Sequence, residues 1–385
     1  GMIWFIDNSQ ATNGDGRLGS PFNTIANFNS GAADDPGDNI FLYRQTAANY
    51  TGPLTLLNNQ KLIGQGATAS LSAITGLTPP PGSDNLPATG GGVRPLIAHN
   101  ANNLTLGQGN TLRGFDLSNT GGTALIGNAF GNLSVLDMSV ANAGGTAVNL
   151  DNGNPTATFT SVSSSNATNG IVLASTTGSF TVTGTGTAGS GGTIQNSANR
   201  GAAFVNATNI SLSRMSFLNV NQNDGATSDG ILGSNTDENG AIHLENATNV
   251  ALTDVTITTA AQHGINGNNV RNLDLTNVAI SGAGDEVWES GIFISNLTGR
   301  QSANQDSVFQ NVQISNTGQF NIWIQNGTPT AAAPAEKDRL SITNGIFANS
   351  GVGVIGDHVS VINVNTANFE TIVSGGSFSA TPGRT

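Results

Sequence analysis

One arrangement of apolar and polar positions recurs along the chain roughly every two dozen residues. Its clearest copies start at Gly240, Gly264 and Gly291, which are 24 and 27 residues apart. After the glycine, apolar residues alternate with polar ones; a second apolar run starts near Asn249 and a third near Val255. Alternation of this kind predicts β-strands, and a repeat of this length is typical of solenoids, propellers and arrays.

Three short strands in each repeat predict one triangular coil of an all-β, right-handed parallel β-helix. Alternate side chains point into the coil, and coils stacked about 4.8 Å apart join their apolar residues into one core. The Asn residues that recur at the corners tolerate a left-handed backbone conformation. A leucine-rich repeat has a similar period, but it needs more leucine and room for a helix. The chain length accommodates about 10–12 coils and an N-terminal cap.

The first part of the chain departs from this repeat. Apolar residues at Phe22, Ile25, Ala26 and Phe28 predict one or two turns of helix. Short apolar runs on both sides of this helix predict strands. We therefore expect residues 1–66 to form an N-terminal cap and the first coil.

Three motifs in this segment, Gly19-Ser-Pro-Phe, Gly37-Asp-Asn-Ile and Leu62-Ile-Gly-Gln-Gly, carry a family resemblance. They resemble the opening of pectate-lyase-like right-handed parallel β-helix proteins, an opening also found in bacterial autotransporter and adhesin-like surface proteins. The resemblance implies the fold but stops short of the catalytic residues. Of the Gly-His-Gly motif of polygalacturonases, half is present at His263-Gly264, and their Asp-Asp pair occurs only at Asp34-Asp35 in the cap.

Prolines separate this cap from the repeats. The segment Thr78-Pro-Pro-Pro-Gly has no place in a strand, because proline lacks the N–H that a strand ladder needs. We expect residues 67–95 to form a loop excursion from an early coil. Residues 96–385 are then predicted to form the β-helix body, as a single continuous domain.

Composition and charge exclude several classes of function. The net charge is −12, and the 12 Lys and Arg residues are too few for a nucleic-acid surface. The sequence has no Cys, so neither disulfides nor Cys-based metal sites form. It has no apolar run long enough to predict a transmembrane segment. The opening Gly1-Met2 looks like a cloning scar, so we expect a piece of a longer polypeptide that is secreted or held at a bacterial cell surface.

Alignment of the repeats predicts a column of residues on the outer face of one sheet. If Ile242, Ile265 and Ile292 point inward, each following residue points outward. Aromatic rings beside carboxamides suit sugars, so this face predicts binding of a polysaccharide or a host or cell-surface glycan. The alternative is that insertions or a partner subunit cover these side chains. The predicted ligand-binding residues are Phe204, His243, Asn266, Trp288, Phe293 and Trp323.

Acidic insertions beside this column supply candidate acid–base and metal-binding groups. Glu238 and Glu289 are predicted to lie two coils apart, which at the strand spacing is roughly 9–10 Å, near the carboxyl separation of an inverting glycosidase. With His263 they are the catalytic candidates. Carboxylates in a cleft also suit Ca²⁺, for which the candidates are Asp224, Asp229 and Asp237. No other cofactor is expected, and acidic loop tips also serve to keep a protein soluble.

These observations lead to three functional hypotheses. The first is a non-enzymatic, exported adhesin-type surface segment, which displays loops and an outward aromatic face that binds glycans. The alternative is a polysaccharide lyase or glycoside hydrolase that acts in a groove along the sheet. The third is a trimer of the phage tailspike type.

Overall fold

The structure, a computed structural model, describes residues 1–44, 48–223, 239–299, 306–327, 338–351, 356–364 and 368–379. The chain divides into two units, one formed by Gly1–Ser164 with Thr176–Val182 and the other by Ser165–Ser175 with Thr183–Thr385. Among the described residues, no helix is both long and apolar enough to cross a membrane.

Two short helices and 32 strands make up the described secondary structure. The helices are α1 (Ile25–Gly31) and α2 (Leu71–Thr75). The strands of the first half of the chain are β1 (Ile3–Ile6), β2 (Asn39–Leu42), β3 (Tyr50–Thr51), β4 (Leu54–Thr55), β5 (Lys61–Gly64), β6 (Leu96–His99), β7 (Leu104–Thr105), β8 (Thr111–Arg113), β9 (Asp116–Asn119), β10 (Leu125–Leu136), β11 (Ser139–Asn142), β12 (Val148–Phe159), β13 (Ser161–Ser165), β14 (Asn169–Thr176), β15 (Ser179–Val182) and β16 (Gly192–Gln195). The remaining strands are β17 (Arg200–Ser213), β18 (Met215–Val220), β19 (Gly240–Glu245), β20 (Thr248–Thr253), β21 (Thr256–Ala260), β22 (His263–Thr276), β23 (Ala279–Ala283), β24 (Ser290–Thr298), β25 (Ser307–Gln310), β26 (Gln313–Thr317), β27 (Phe320–Asn326), β28 (Asp338–Thr343), β29 (Ile346–Ser350), β30 (Val359–Asn363), β31 (Phe369–Ser374) and β32 (Ser377–Ser379).

The first unit begins with the predicted cap. Helix α1 starts after Thr24, whose side-chain oxygen accepts a hydrogen bond from the backbone N–H of Asn27 at 3.0 Å. This capping bond satisfies one of the N–H groups that the first turn of a helix leaves without a partner. Ile25 and Phe28 are buried on the inner side of the helix. The predicted helix and the flanking strands are therefore confirmed.

The segment predicted as a loop excursion contains α2 and is tied to the cap by the side chains of Lys61, Gln65 and Arg44. The Nε atom of Arg44 donates a hydrogen bond to the carbonyl of Val93 at 2.6 Å, and its guanidinium also donates to the carbonyl of Gly91. In the same unit β1, β2, β5, β8 and β10 pair in parallel, as do β6, β9 and β11.

In the second unit three stacks of parallel strands run side by side. One contains β17, β19, β22, β24 and β27; another contains the later part of β17 with β20, β22, β25 and β28; the third contains β18, β21, β23, β26 and β29. Each coil contributes one segment to each stack. Three parallel strands per coil confirm the prediction of a right-handed parallel β-helix. The prediction of a single continuous domain stays a prediction.

The core of this unit is a set of rows of stacked apolar side chains. Ile242, Ile265, Ile292 and Ile322 follow one another in register, and all four are fully buried. A coil of this size cannot bury such residues alone, so the stacking itself supplies most of the hydrophobic free energy.

Ladders of Asn side chains hold the corners of the coils. The Nδ2 atom of Asn269 donates to Oδ1 of Asn246 at 3.1 Å, and Asn246 in turn donates to Asn206 at 2.9 Å. Asn296 extends the ladder by donating to Asn269. All four residues have a positive φ, between 47° and 60°. Asn accepts this conformation more readily than most residues, which explains why it recurs at the corners.

The register of the coils corrects one detail of the predicted repeat. Gly240 pairs with His263, so Ala241 rather than Gly240 occupies the same position as Gly264 and Gly291. At Gly264 a Cβ atom would lie 2.6 Å from the carbonyl oxygen of Gly291 and 2.7 Å from Cγ2 of Ile280. Glycine is therefore needed at residue 264, because the neighbouring coil and the core approach closely there.

Candidate functional site

The outer face of β17, β19, β22, β24 and β27 carries three adjoining columns of side chains. The ring column is Ala203, His243, Asn266, Phe293 and Trp323. The polar column, two residues further along each strand, is Val205, Glu245, Asn268, Ser295 and Gln325. The histidine column, three residues before the ring column, is Arg200, Gly240, His263, Ser290 and Phe320.

Contacts between columns show that they share one side of the sheet. The His263 and Phe293 ring centroids are 5.2 Å apart, and those of Phe320 and Trp323 are also 5.2 Å apart. The Nε2 atom of His243 lies 3.7 Å from Oε2 of Glu245 in the polar column. We refer to these three columns together as the outer face.

One predicted member of the ring column is wrong. Phe204 pairs with Leu244, and both side chains are fully buried, whereas Ala203 pairs with His243. The error comes from the glycine register, because counting from Gly201 with the spacing that applies to Gly240 shifts the column by one residue. A shift of one residue moves a side chain to the opposite face of a strand.

The ring column is buried, as in the alternative interpretation that its side chains are covered, and not an exposed aromatic surface. His243, Asn266, Phe293 and Trp323 are all buried. Phe293 stacks on Trp323 with ring centroids 4.4 Å apart, and Trp288 lies 5.5 Å from Trp323. Aromatic rings at this separation attract one another, which adds to the free energy gained by burying them. Trp288, with 41% of its surface exposed, is the ring through which this aromatic stack reaches the surface.

The proton of His263 has a fixed position. The backbone N–H of Ser290 donates to Nδ1 of His263 at 3.1 Å, and a backbone amide can only donate. Burial lowers the pKa of His263 to about 3, so the ring is neutral at pH 7. The remaining ring proton is therefore on Nε2, which acts as a hydrogen-bond donor.

His243 is also neutral, but its free nitrogen has the opposite polarity. Burial lowers the pKa of His243 to about 3, and the charge of Arg200 contributes. The Nδ1 atom lies 3.0 Å from Oδ1 of Asn266. With that oxygen as the acceptor, Nδ1 donates and Nε2 is left as an acceptor beside the carboxylate of Glu245.

Of the thirteen buried side-chain polar atoms without a partner in the described residues, six lie on the outer face. Buried polar groups are almost always hydrogen-bonded, so each exception calls for an explanation. Six atoms of this face are such exceptions: two are donors, two are acceptors and two belong to hydroxyl groups. Among the residues that the structure describes, the buried atoms of this face without a hydrogen-bond partner are His243 Nε2, His263 Nε2, Ser290 Oγ, Ser295 Oγ, Trp323 Nε1 and Gln325 Oε1.

The acidic insertion next to the outer face is a tightly bonded loop. The Oε2 atom of Glu289 accepts hydrogen bonds from the backbone N–H groups of Asp285 and Glu286, at 2.7 and 2.8 Å. The side-chain oxygen of Gln319 accepts from the N–H of Trp288 at 2.7 Å. Trp288 has a φ of 74°, which is uncommon for a large side chain. The loop therefore holds Trp288 in a fixed place. Glu289, a predicted catalytic residue, contributes to this loop through the two hydrogen bonds that its carboxylate accepts.

The other predicted acidic candidates cannot be placed. Glu238, Asp224, Asp229 and Asp237 lie outside the described residues. The register extends to Asn239, whose carbonyl accepts from the N–H of His263. Within the described ranges, no group of three or more His, Asp or Glu side chains is arranged to hold a metal ion.

The outer face includes residues that the sequence analysis did not single out. Glu245, Ser295 and Gln325 follow the ring column by two residues, and strand alternation places them on the same side. Arg200 precedes it by three, and its Nε donates to Oδ1 of Asn239 at 2.9 Å. The alternation of side chains along each strand could have identified the polar column from the sequence, whereas nothing in the sequence pointed to Arg200.

Comparisons with known proteins give similar structures but no family. No family model matches the chain, and no curated protein matches it. The catalytic unit of a thermostable GH87 alpha-1,3-glucanase from Streptomyces thermodiastaticus is similar over 95% of this chain and 67% of that chain, with 14% identity and a TM-score of 0.40. A GH136 lacto-N-biosidase from Eubacterium ramulus is similar over 97% and 68%, with 10% identity and a TM-score of 0.47. A rhamnogalacturonan lyase is similar over 96% and 87%, with 12% identity and a TM-score of 0.34.

Proposed function

We propose that the chain is an exported, surface-displayed β-helix whose outer face binds carbohydrate. The observation that carries the proposal is the row of six buried polar atoms without partners beside the Phe293–Trp323 stack. A buried polar group without a hydrogen bond costs about 1–3 kcal/mol. Six such costs on one face are expected only where water or a ligand supplies the missing partners.

Carbohydrate fits this face better than other classes of ligand. Sugars present hydroxyl groups beside apolar C–H patches, and the outer face offers hydrogen-bonding atoms beside aromatic rings. The polar column runs from Glu245 to Gln325 across three strand spacings, about 14 Å, and Glu245, Asn268 and Gln325 in it are partly exposed, which suits an extended chain rather than a compact metabolite. The likeness to carbohydrate-active enzymes adds no weight, because its TM-scores are low.

Binding to a panel of soluble polysaccharides, measured by affinity electrophoresis and calorimetry, tests the proposal. Trp288→Ala is the informative variant, because Trp288 is 41% exposed and is not one of the buried core residues. Loss of a central aromatic contact is expected to raise Kd by about tenfold. Phe378→Ala is the matched control, since Phe378 is an exposed aromatic residue at 51% that lies in β32, in a different stack of strands. Absence of binding across the panel, or equal Kd values for both variants, contradicts the proposal.

Cleavage of the bound chain is a second candidate function, favoured by one pair of groups. The Oε2 atom of Glu245 lies 3.7 Å from Nε2 of His243, and the Glu245 side chain is 32% exposed. The outer face therefore presents a carboxylate beside an imidazole. Such a pair can accept a proton from a substrate group that lies within reach. Release of reducing ends or of unsaturated uronate absorbance, lost in Glu245→Gln, identifies an enzyme. Binding without either signal identifies a display protein.

A further inference from the structure

We infer that the outer face selects an uncharged glycan chain and rejects chains that carry carboxylate or sulfate groups. The inference rests on the proposed function and goes beyond it by naming the class of ligand. Two independent features support it: the balance of donors and acceptors, and the charges that surround them.

The unpartnered atoms include donors and acceptors in equal number. His263 Nε2 and Trp323 Nε1 carry protons and can only donate, while Gln325 Oε1 can only accept. His243 Nε2 is also an acceptor when Asn266 Oδ1 takes the Nδ1 proton. A hydroxyl group both donates and accepts, whereas a carboxylate or sulfate only accepts. Hydroxyl groups, like water, can therefore satisfy every one of these atoms, whereas an anionic group can satisfy only the donors.

The acceptors make the position next to His243 unsuitable for an anion. His243 Nε2 and Glu245 Oε2 are 3.7 Å apart and both accept hydrogen bonds. A hydroxyl hydrogen directed between them satisfies either atom. A carboxylate placed there faces a like charge and a lone pair, and like charges brought together at an interface disfavour binding.

The described columns of the outer face hold little positive charge to compensate a negative ligand. Of the described residues in its three columns, Arg200 is the single Lys or Arg, and its Nε already donates to Asn239. The guanidinium also lies near the charge of Glu245. Both histidines are uncharged at neutral pH. Anionic sugars are usually held by Arg or Lys, often through paired hydrogen bonds, and that arrangement is missing among these residues.

Selective oxidation provides a matched pair of ligands for the test. A neutral polysaccharide that binds in the panel is converted at its C6 hydroxymethyl groups to carboxylates, which leaves the backbone and linkage unchanged. We expect the oxidised chain to bind about tenfold more weakly, or worse, in low salt. Methyl esterification of those carboxylates removes the charge and should restore most of the affinity.

A charge variant links this selectivity to the outer face. Glu245→Gln removes the exposed carboxylate and should narrow the difference between the native and oxidised chains. Glu370→Gln is the control, because Glu370 lies in β31, in another stack of strands, and pairs with Arg339 at 2.9 Å. Glu370→Gln should leave the difference in affinity between the native and oxidised chains unchanged.

The possible outcomes distinguish a failure of the charge selectivity from a failure of carbohydrate binding itself. A neutral chain that binds and loses affinity on oxidation supports the inference. Equal or tighter binding of the oxidised chain, or of polygalacturonate and alginate, overturns the inference while carbohydrate binding stands. No binding by any neutral or acidic polysaccharide overturns both.

Discussion

At the scale of single residues, His243 and His263 show how the backbone assigns chemical roles. Both imidazoles are buried and neutral, yet one exposes a donor to the outer face and the other an acceptor. The difference arises from their neighbours in the next coil, a backbone amide of Ser290 for one and an Asn266 carboxamide for the other. Neighbouring coils therefore set the hydrogen-bonding polarity of the outer face.

The depressed pKa of His263 predicts a loss of stability in mild acid. The folded-state pKa is about 3, against 6.5 for an unperturbed histidine. Between these values the unfolded chain holds more protons, so the contribution to stability is complete above pH 6.5 and is lost as the pH falls toward 3. Each pH unit in this window costs about 1.4 kcal/mol.

Urea unfolding at pH 7.5 and pH 5.0 measures this effect. His263→Gln keeps an acceptor for the Ser290 amide but does not titrate. Its unfolding free energy should fall by about 2 kcal/mol less than that of the wild type over this interval. His99→Gln, in β6 of the other unit, serves as the control. Identical pH dependence in the wild type and His263→Gln would show that this ring does not resist protonation in the folded state.

At the scale of elements, the corners and the acidic loop fix the coils more specifically than the strands do. In the strand segments, exchange among apolar residues of similar volume is expected to cost less than about 1.5 kcal/mol. Corner residues instead combine a positive φ with a hydrogen bond to the adjacent coil, as Asn269 does. Few residues meet both requirements.

Substitutions at Asn269 should separate these two contributions. Asn269→Gly removes the amide ladder but keeps the backbone conformation, and should cost about 1 kcal/mol. Asn269→Ala loses the ladder and adds the strain of a positive φ, which brings the cost to about 2–3 kcal/mol. Thermal and urea unfolding of both variants measure the difference. Equal stability of the two would mean that the positive φ carries no cost at this corner.

The carboxylate of Glu289 is expected to hold the Trp288 loop rather than to act on a substrate. Glu289→Gln exchanges two charge-assisted hydrogen bonds for weaker ones and should cost about 1–3 kcal/mol locally. Faster proteolysis between Asp285 and Trp288, with the wild-type fold retained by circular dichroism, is the expected result. Glu286→Gln is the control, because its side chain does not accept these bonds. Loss of a catalytic turnover without any change in the loop would contradict this role.

At the scale of the whole molecule, local stability is expected to vary along the second unit. The central strands β22 and β24 have a neighbour on each side, and their inward residues are fully buried. In the terminal strands the apolar residues Ile362, Val373 and Phe378 are exposed at 39%, 46% and 51%. Repeat proteins gain stability from neighbouring coils, so an end coil has less of it.

Hydrogen exchange followed by mass spectrometry tests this gradient. Peptides from β22 and β24 should exchange last, at rates set by global unfolding, and peptides from β30–β32 should exchange orders of magnitude sooner. Peptides from β17 and β19 provide the internal comparison. Uniform protection across the unit would indicate that it unfolds as one cooperative block or that its end is covered in solution.

The architecture was predictable because it depends on a repeated pattern, and repetition averages over local irregularities. Three strands, Asn corners and stacked apolar rows all follow from period and alternation. The site was less predictable, since it depends on register at the level of one residue. Counting from Gly201 placed Phe204 in the ring column, whereas pairing places Ala203 there. The sequence did not determine whether the ring column is buried. Alternation predicts the side of a strand on which a side chain lies, but not which other residues cover it.

The backbone hydrogen bond to His263 has one consequence for how this protein can evolve. A side-chain partner is replaced by a single codon change, whereas the amide of Ser290 persists whatever residue occupies that position, proline excepted. Point mutation around His263 can alter its size or its surroundings, but the direction of its proton is inherited with the path of the main chain. Reversal of that polarity requires an insertion or deletion that slips one coil against the next. New specificities on this face are therefore expected to arise through Glu245, Asn268 and Gln325, with His263 as their constant donor.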